Sequence, residues 1–415
     1  MRTDGRSLRP TKLFRYREGT LREQVISIGE NGDDPTRDSG YSARLSSLKL
    51  EGYKSFQKEE VNFGDVTVLL GANGAGKSNL VSFFEMLGFL STGSLQEFIG
   101  RAGYSDSILF GGRRMTPLLR ATVEFVREDP AGEEHREIYW MRLGDASPDT
   151  LIFLDERAGY RQSGFPQPHE VTLGSGHRES QLEAEASKGD ETCKTLLQLL
   201  RGCRVYHFHD TSPQANIRRN HYSEDAWHLQ HDAGNLGAYL YALKQIHPNC
   251  YRRIVETVRL AFPAFGDFHL VPSATRAKYI LLNWYEKDRS GLIFGPHQLS
   301  DGSLRFMALA TLFLQPLEKL PRVIVLDEPE LGLHPYAISV LAAMMRAAAK
   351  RVQVVLATQS TRLVDEFEPH QILVLQADGD KGTRCHRLDP SDLSRWLEEY
   401  SLGELWEKNL FGGRP

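Results

Sequence analysis

Cysteine is scarce and scattered. Cys193, Cys203, Cys250 and Cys385 form no C-x-x-C pair, so the sequence offers neither a zinc ribbon nor a disulfide framework, a usage that suits a reducing cytosol. No apolar run approaches the ~18 residues of a membrane span, and the start of the chain lacks the apolar core of a signal peptide. A cytoplasmic protein with no membrane partner is therefore expected. An excess of one charge sign is also missing. A formal net charge of −4 over 415 residues imposes neither nucleic acid nor membrane as a partner, although a local basic surface can hide in that average. Internal repeats are absent, and no heptad array separates the two halves, which excludes a long coiled-coil arm.

What is present divides into five stretches. Residues 1–43 are polar and mildly basic and read as a disordered extension, with a nucleic-acid-binding arm as the other reading. In 44–180, "VTVLLG" reads as a buried strand, "NLVSFFEMLGFL" as the helix after it, and "LRATVEFV", "EIYWMRL" and "LIFLD" as an antiparallel meander. The Gly/Pro/His-rich part from about 156 to 180 reads as a loop. Residues 181–265 form a mainly helical insertion, with "RVYHFHD" as a strand inside it. In 266–390, "YILLNWYE" is a strand, and from Leu304 onward helices and strands alternate, which implies a parallel sheet covered on both faces. Residues 391–415 are a helical tail, where Trp396 and Trp406 either dock on the core or meet a partner. The expected fold is α/β: an antiparallel meander plus a parallel core sheet flanked by helices, carrying a short, mainly helical insertion.

Two motifs carry chemistry. "GANGAGKS", Gly71 to Ser78, is a complete phosphate loop between a strand and a helix. Gly71, Asn73, Gly74, Ala75 and Gly76 let the backbone turn its N–H groups toward phosphate oxygens; Lys77 reaches the β/γ-phosphates, and the Ser78 hydroxyl ligates Mg²⁺. "VIVLDEPE" supplies the partner, a buried strand ending in Asp327 and Glu328. Asp327 suits the Mg²⁺ shell, and Glu328, one residue on, is free to polarise a water against the γ-phosphate. Glu330 is either a supporting carboxylate or a surface residue. The cofactors expected are ATP and Mg²⁺.

Three further pieces complete an order. "LSDGS" precedes the acidic strand, "LGLHP" follows it, and "VLATQS" is a strand ending in polar residues. That succession resembles the ATP-binding-cassette superfamily: phosphate loop, signature turn, acidic strand, D-loop and switch residue. The resemblance implies that Ser300, Asp301, Gly302 and Ser303 cap the γ-phosphate held by a second copy, and that Gln359 occupies the switch position. Asp301 and Ser303 depart from the "LSGGQ" of cassette transporters. Gln359 stands where a His is common and is no proton carrier. A convincing Q-loop glutamine is lacking.

"LKLEGYKSFQKEEVNFGDVTVLLGANGAGKSNL", including Asn79 after the loop, resembles the opening of RecF- and SMC-type heads. "LSDGSLRFMALATLFLQP", "LDEPELGLHP", "YHFHDTSPQANIRR" and the ending "WLEEYSLGELWEKNLFGGRP" resemble the stand-alone RecF-like AAA ATPases related to the heads of OLD-type nucleases. Over residues 44–415 the resemblance implies an ABC-type P-loop NTPase head that forms a homodimer or higher oligomer around ATP. Its setting would be DNA repair or antiphage defence, with DNA as a possible ligand. No TOPRIM-like acidic pattern follows the head, so a separate nuclease or TOPRIM-like effector is expected. A slow ATP-gated scaffold or sensor is the alternative.

Other residues carry weaker signals. Lys54 in "YKSF" lies near the nucleotide in related heads, or is a solvated strand-end lysine. His207 and His209 share a strand face beside Asp210, a spacing that suits a metal or two structural histidines, and an intrinsic nuclease would draw on the same three. Arg113, Arg114, Arg218 and Arg219 either contact a DNA backbone or are solvated.

Overall fold

The computed structural model describes residues 43–413 apart from 130–131, 166 and 273–277, so the segment read as a polar extension, Ala43 excepted, lies outside the described residues. The first described elements are the antiparallel pair β1 (Arg44–Tyr53) and β2 (Phe56–Asn62). β3 (Val66–Leu70) follows, with all five residues buried, as expected of a strand covered on both faces. The phosphate-loop stretch then feeds α1 (Lys77–Ser91).

β4 (Leu118–Glu128), β5 (Glu134–Ala146), β6 (Thr150–Gln162) and β7 (His169–Gly174) build outward from β1 by antiparallel pairing. The result is a six-stranded sheet in the order β2-β1-β4-β5-β6-β7. The stretch from 156 to 180, expected as a loop, instead carries the end of β6 and all of β7. Cross-strand packing overrides its composition: a Cβ at Gly159 would lie 2.5 Å from Trp140 Cζ3, so the indole of β5 covers the glycine and fills its place in the sheet.

The second six-stranded sheet is the core of the molecule. Its members are β3, β8 (Cys203–Tyr206), β14 (Val323–Asp327), β15 (Gln353–Thr358), β16 (Ile372–Ala377) and β17 (Thr383–Arg387), in the order β17-β16-β3-β15-β14-β8. All neighbours are parallel except β16 and β17. β8 interrupts the segment expected to be mainly helical, and it ends at Tyr206 rather than running through Asp210. Between β8 and β14 lie β9 (His221–Tyr222), β10 (Phe265–His269), β11 (Tyr279–Ile280), β12 (Asn283–Glu286) and β13 (Arg289–Phe294), which pair as β9 with β11 and as a small β10-β12-β13 sheet. "YILLNWYE" is thus two strands in two sheets, not one.

Alternation along the core strands separates two hydrophobic clusters. Val68, Ile324, Leu326, Val354 and Leu356 face one side, while Leu69, Val323, Val325, Val355 and Ala357 face the other. The second side is closed by α1, by the inner face of the meander sheet and by α2 (Glu191–Arg201). The first is closed by α3 (Leu236–Ile246), α4 (Pro248–Ala261), α5 (Asp301–Leu314) and α6 (Pro335–Ala349). In the tail, Trp406 is buried on the core and Trp396 is 46% exposed. Among the described residues, no helix is long and apolar enough to cross a membrane.

Candidate functional site

Parallel strands bring their carboxyl ends to one edge, where α/β sheets place ligands. The register sets Thr358 beside Leu70, Asp327 beside Ala357 and Leu326 beside Tyr206. The phosphate loop, the acidic pair, the switch position and the segment after β8 therefore converge, although they are far apart in the chain.

The phosphate loop is built by tight backbone packing. A Cβ at Gly71 would sit 2.5 Å from Leu375 O, and at Gly76, with φ +105°, it would sit 2.3 Å from Thr383 Oγ1. Asn73 and Gly74 are exposed, and Ala75 is buried. α1 starts without a side-chain cap and without an acid in its first turn, so its first N–H groups are left to an anion. Lys77 Nζ donates to the carbonyls of Gly71 at 2.6 Å and Ala72 at 2.9 Å. Burial draws its ammonium below the usual lysine range, against the pull of Glu328, Asp327 and Glu330. Ser78 Oγ donates to Asp327 Oδ2 at 3.1 Å, joining the two motifs. Asn79 and Lys54 serve the surroundings: Asn79 Nδ2 donates to Ser55 Oγ at 2.8 Å, and Lys54 Nζ to Ser82 Oγ at 2.7 Å.

Glu328 adopts φ 39°, a left-handed conformation held by its N–H bond to Ala357 O at 2.8 Å. Gln359 Nε2 donates to Glu328 Oε1. Glu330 is buried and accepts from Thr358 Oγ1, and burial pushes its carboxyl up to about 7. It therefore supports the site from within and is no surface residue.

The Ser300–Ser303 turn caps α5: Ser300 Oγ accepts from Ser303 N at 3.1 Å and pairs with Ser303 Oγ at 2.8 Å. Ser300 and Asp301 are exposed. A Cβ at Gly302 would lie 2.3 Å from Gly332 O, so this glycine is fixed by close approach of the backbone that follows the acidic strand. Asp301, the residue that departs from the transporter motif, accepts from Arg218 Nη2 at 2.7 Å. Arg218 is buried and also donates to the carbonyls of Thr211, Pro296 and Leu299, so it is a brace and not a DNA contact.

Arg305 is another functional candidate, and reading by motif passed over it. Buried on α5, it donates to Phe208 O at 2.9 Å, to His209 O at 3.2 Å and to Leu331 O. A lone arginine in the apolar run "LRFMALATLFL" was the available signal. It pins the segment after β8, where His207 Nε2 meets Glu85 Oε1 of α1 at 2.5 Å. That bond holds His207 above the usual imidazole range, while burial lowers His209. Asp210 turns away, its Oδ1 accepting from Ser212 N at 3.1 Å.

A family model described as "AAA domain, putative AbiEii toxin, Type IV TA system" matches residues 66–365. Among solved structures, the SMC head bound to the C-winged-helix domain of ScpA is similar at 16% identity and TM-score 0.53, covering 85% of this chain and 99% of that one. The Pyrococcus furiosus SMC head with an extended coiled coil, bound to the C-terminal domain of ScpA, is similar at 14% identity and TM-score 0.51, covering 86% and 99%. No curated protein matches. At these identities the structural likeness concerns fold alone: an ABC-type P-loop head.

Proposed function

Because the chain belongs to this AAA-domain family, as an ABC-type ATPase of the RecF/SMC-like kind, we propose that it works as two copies closed around two ATP molecules. The AAA/SMC-head-like fold supports ATP binding and hydrolysis. The observation that carries the finer reading is the meeting of four elements at one sheet edge, with Ser78 on Asp327 and Gln359 on Glu328. In this reading Gly71–Ser78 binds the triphosphate, and Lys77 neutralises its outer phosphates. Glu328 accepts the proton of an attacking water, and the exposed Ser300–Ser303 turn closes on the γ-phosphate of the other copy. A hydroxyl joined to a carboxylate is a donor pair that fits a hard divalent cation. Ser78 and Asp327 would hold Mg²⁺, which supplies charge neutralisation beside the phosphates. Separation of the copies after hydrolysis would act on a DNA-linked process, repair or antiphage defence, through a separate nuclease or TOPRIM-like effector. A similar SMC head was solved with a ScpA domain bound, which supports a partner protein for this head without pointing to its chemistry.

The test is size-exclusion chromatography with light scattering, with and without Mg-ATP, alongside steady-state hydrolysis with duplex DNA. Glu328→Gln accumulates an ATP-bound dimer, and Lys77→Ala stays monomeric and binds no nucleotide. Identical behaviour of the two variants overturns the scheme. One observation favours a slower machine: the Gln359 amide occupies the Glu328 carboxylate, which leaves a weaker base. Turnover near zero with intact ATP-dependent assembly would make the protein an ATP-gated scaffold.

A further inference from the structure

Beside the nucleotide pocket lies a second constellation. His207, His209 and Asp327 each offer a ligand atom, and these three atoms lie within 4.8 Å of one another. Asp327 Oδ2 is the oxygen that meets Ser78, whereas Oδ1 is buried and, among the described residues, makes no hydrogen bond. A buried carboxylate oxygen without a donor is costly unless a cation or proton source faces it. Both imidazoles stand over the same space, their ring centroids 6.0 Å apart.

The backbone that presents them is fixed. His207 N donates to His231 O at 2.8 Å, and Arg305 grips the carbonyls of Phe208 and His209. Behind His207 stands Glu85, on its Nε2 at 2.5 Å. A carboxylate on one ring nitrogen leaves the other as a lone-pair donor, the arrangement that orients metal-binding histidines. The other cluster of this kind among the described residues lacks that feature. In Asp129, Glu133 and His135, both His135 nitrogens are engaged, Nε2 by Asp129 at 3.1 Å and Nδ1 by the Tyr160 hydroxyl at 2.7 Å.

We propose that His207, His209 and Asp327 form a binding site for a divalent transition-metal ion of the Zn²⁺ class, with Glu85 orienting His207 from behind. Two imidazoles select against Mg²⁺, which takes oxygen ligands, and favour a borderline cation. The site is separate from the Ser78 hydroxyl and shares only the Asp327 carboxylate with it. It therefore goes beyond the ATPase reading, and it fills in the third ligand that Asp210 does not supply.

The experiment titrates Co²⁺, as a visible-absorbing stand-in for Zn²⁺, into the full chain without nucleotide. The expected result is saturable visible absorption at one Co²⁺ per chain, reversed by Zn²⁺ and not by Mg²⁺. His207→Ala and His209→Ala each abolish it, with circular dichroism confirming the fold. Glu85→Gln, outside the ligand set, weakens binding by about 10–100-fold. Lys77→Ala keeps the absorption although it loses nucleotide, which separates this proposal from the ATPase scheme. Absence of saturable absorption in the wild-type chain, or its persistence in the His207→Ala/His209→Ala double variant, overturns the assignment.

Discussion

Replacing Arg218 by methionine isolates what braces the signature turn. The Arg218 side chain is 5% exposed, and its guanidinium serves Thr211 O at 2.7 Å, Leu299 O at 3.3 Å, Pro296 O and Asp301. Methionine keeps much of the stem volume and removes every donor. Three backbone carbonyls then lose a charged partner in a place water reaches poorly, at about 1–3 kcal/mol for each group left unpaired. Relaxation recovers part of that, so the net loss is about 3–5 kcal/mol. The opposite half of the ion pair behaves differently. The Asp301 side chain is 67% exposed, so Asp301→Asn costs about 1 kcal/mol or less.

Urea unfolding followed by circular dichroism reads the difference. With a slope of about 3 kcal/mol/M, Arg218→Met lowers the midpoint by roughly 1–2 M, and Asp301→Asn moves it by a few tenths. Equal midpoints for the two variants would refute the reasoning, because the carbonyls would then contribute nothing. In the ATPase assay Arg218→Met loses turnover while nucleotide binding through the intact phosphate loop survives.

Two glycines of the phosphate loop separate packing from backbone strain. Gly76→Ala drives a Cβ to 2.3 Å from Thr383 Oγ1 at φ +105°, so affinity for a fluorescent ATP analogue is lost along with about 2–4 kcal/mol of stability. Gly74→Ala, at φ +79° with nothing within 4 Å, costs about 1–2 kcal/mol and leaves the fold intact. Glu330 sets a pH dependence. Its carboxyl rises from 4.5 to about 7 in the folded chain, so the folded state holds the proton more tightly than the unfolded one. The stability it contributes is complete below about pH 4.5, falls as pH rises toward 7 and is gone above, a change of about 3 kcal/mol. Glu330→Gln removes that slope, so its stability relative to wild type rises over the same window in urea titrations at pH 5 and pH 8. An unchanged difference between the two pH values would place the shifted proton elsewhere.

Legibility followed the range of the interactions. The phosphate loop and the acidic strand are each set within one strand-turn-helix unit, so residue types in order suffice to name Lys77, Ser78, Asp327 and Glu328 as candidates, and the fold brings Ser78 onto Asp327. The Ser300 cap is local in the same sense. Asp301 could not be interpreted from its neighbours, because Arg218 is 83 positions away and becomes its partner only once the segment after β8 lies along α5. Gly302 enters the sequence reading only as part of a turn that caps a phosphate, whereas its immediate constraint within the chain is Gly332 O. The nearness of Asp327 to the two histidines depends on β8 pairing with β14, a parallel register between distant stretches that composition does not encode. The end of β6 and all of β7 were hidden because glycine, proline and histidine counted against strand, and the indole that compensates for Gly159 comes from the neighbouring strand.

Arg305 connects these pieces. It lies on α5 one turn beyond Ser300 and holds Leu331 of the D-loop together with the carbonyls of Phe208 and His209. Gly302 adds a close packing contact between the same parts, its missing side chain letting the backbone approach Gly332 O. The signature turn, the D-loop and the histidine segment are thereby one braced unit, and that unit adjoins Asp327 of the chain's own pocket. Under the two-copy reading, contact of the turn with a γ-phosphate across the interface must load this brace, because a buried guanidinium with three carbonyl partners cannot shift without breaking a bond. Occupancy of one pocket would then be felt at His209 and Asp327 of the copy that lent its turn. Arg305→Met should therefore uncouple the two pockets, making turnover depend on a single nucleotide, while Arg305→Lys, which reaches fewer carbonyls, should retain part of the dependence. An unaltered dependence in Arg305→Met would mean that the turn and the histidine segment move independently.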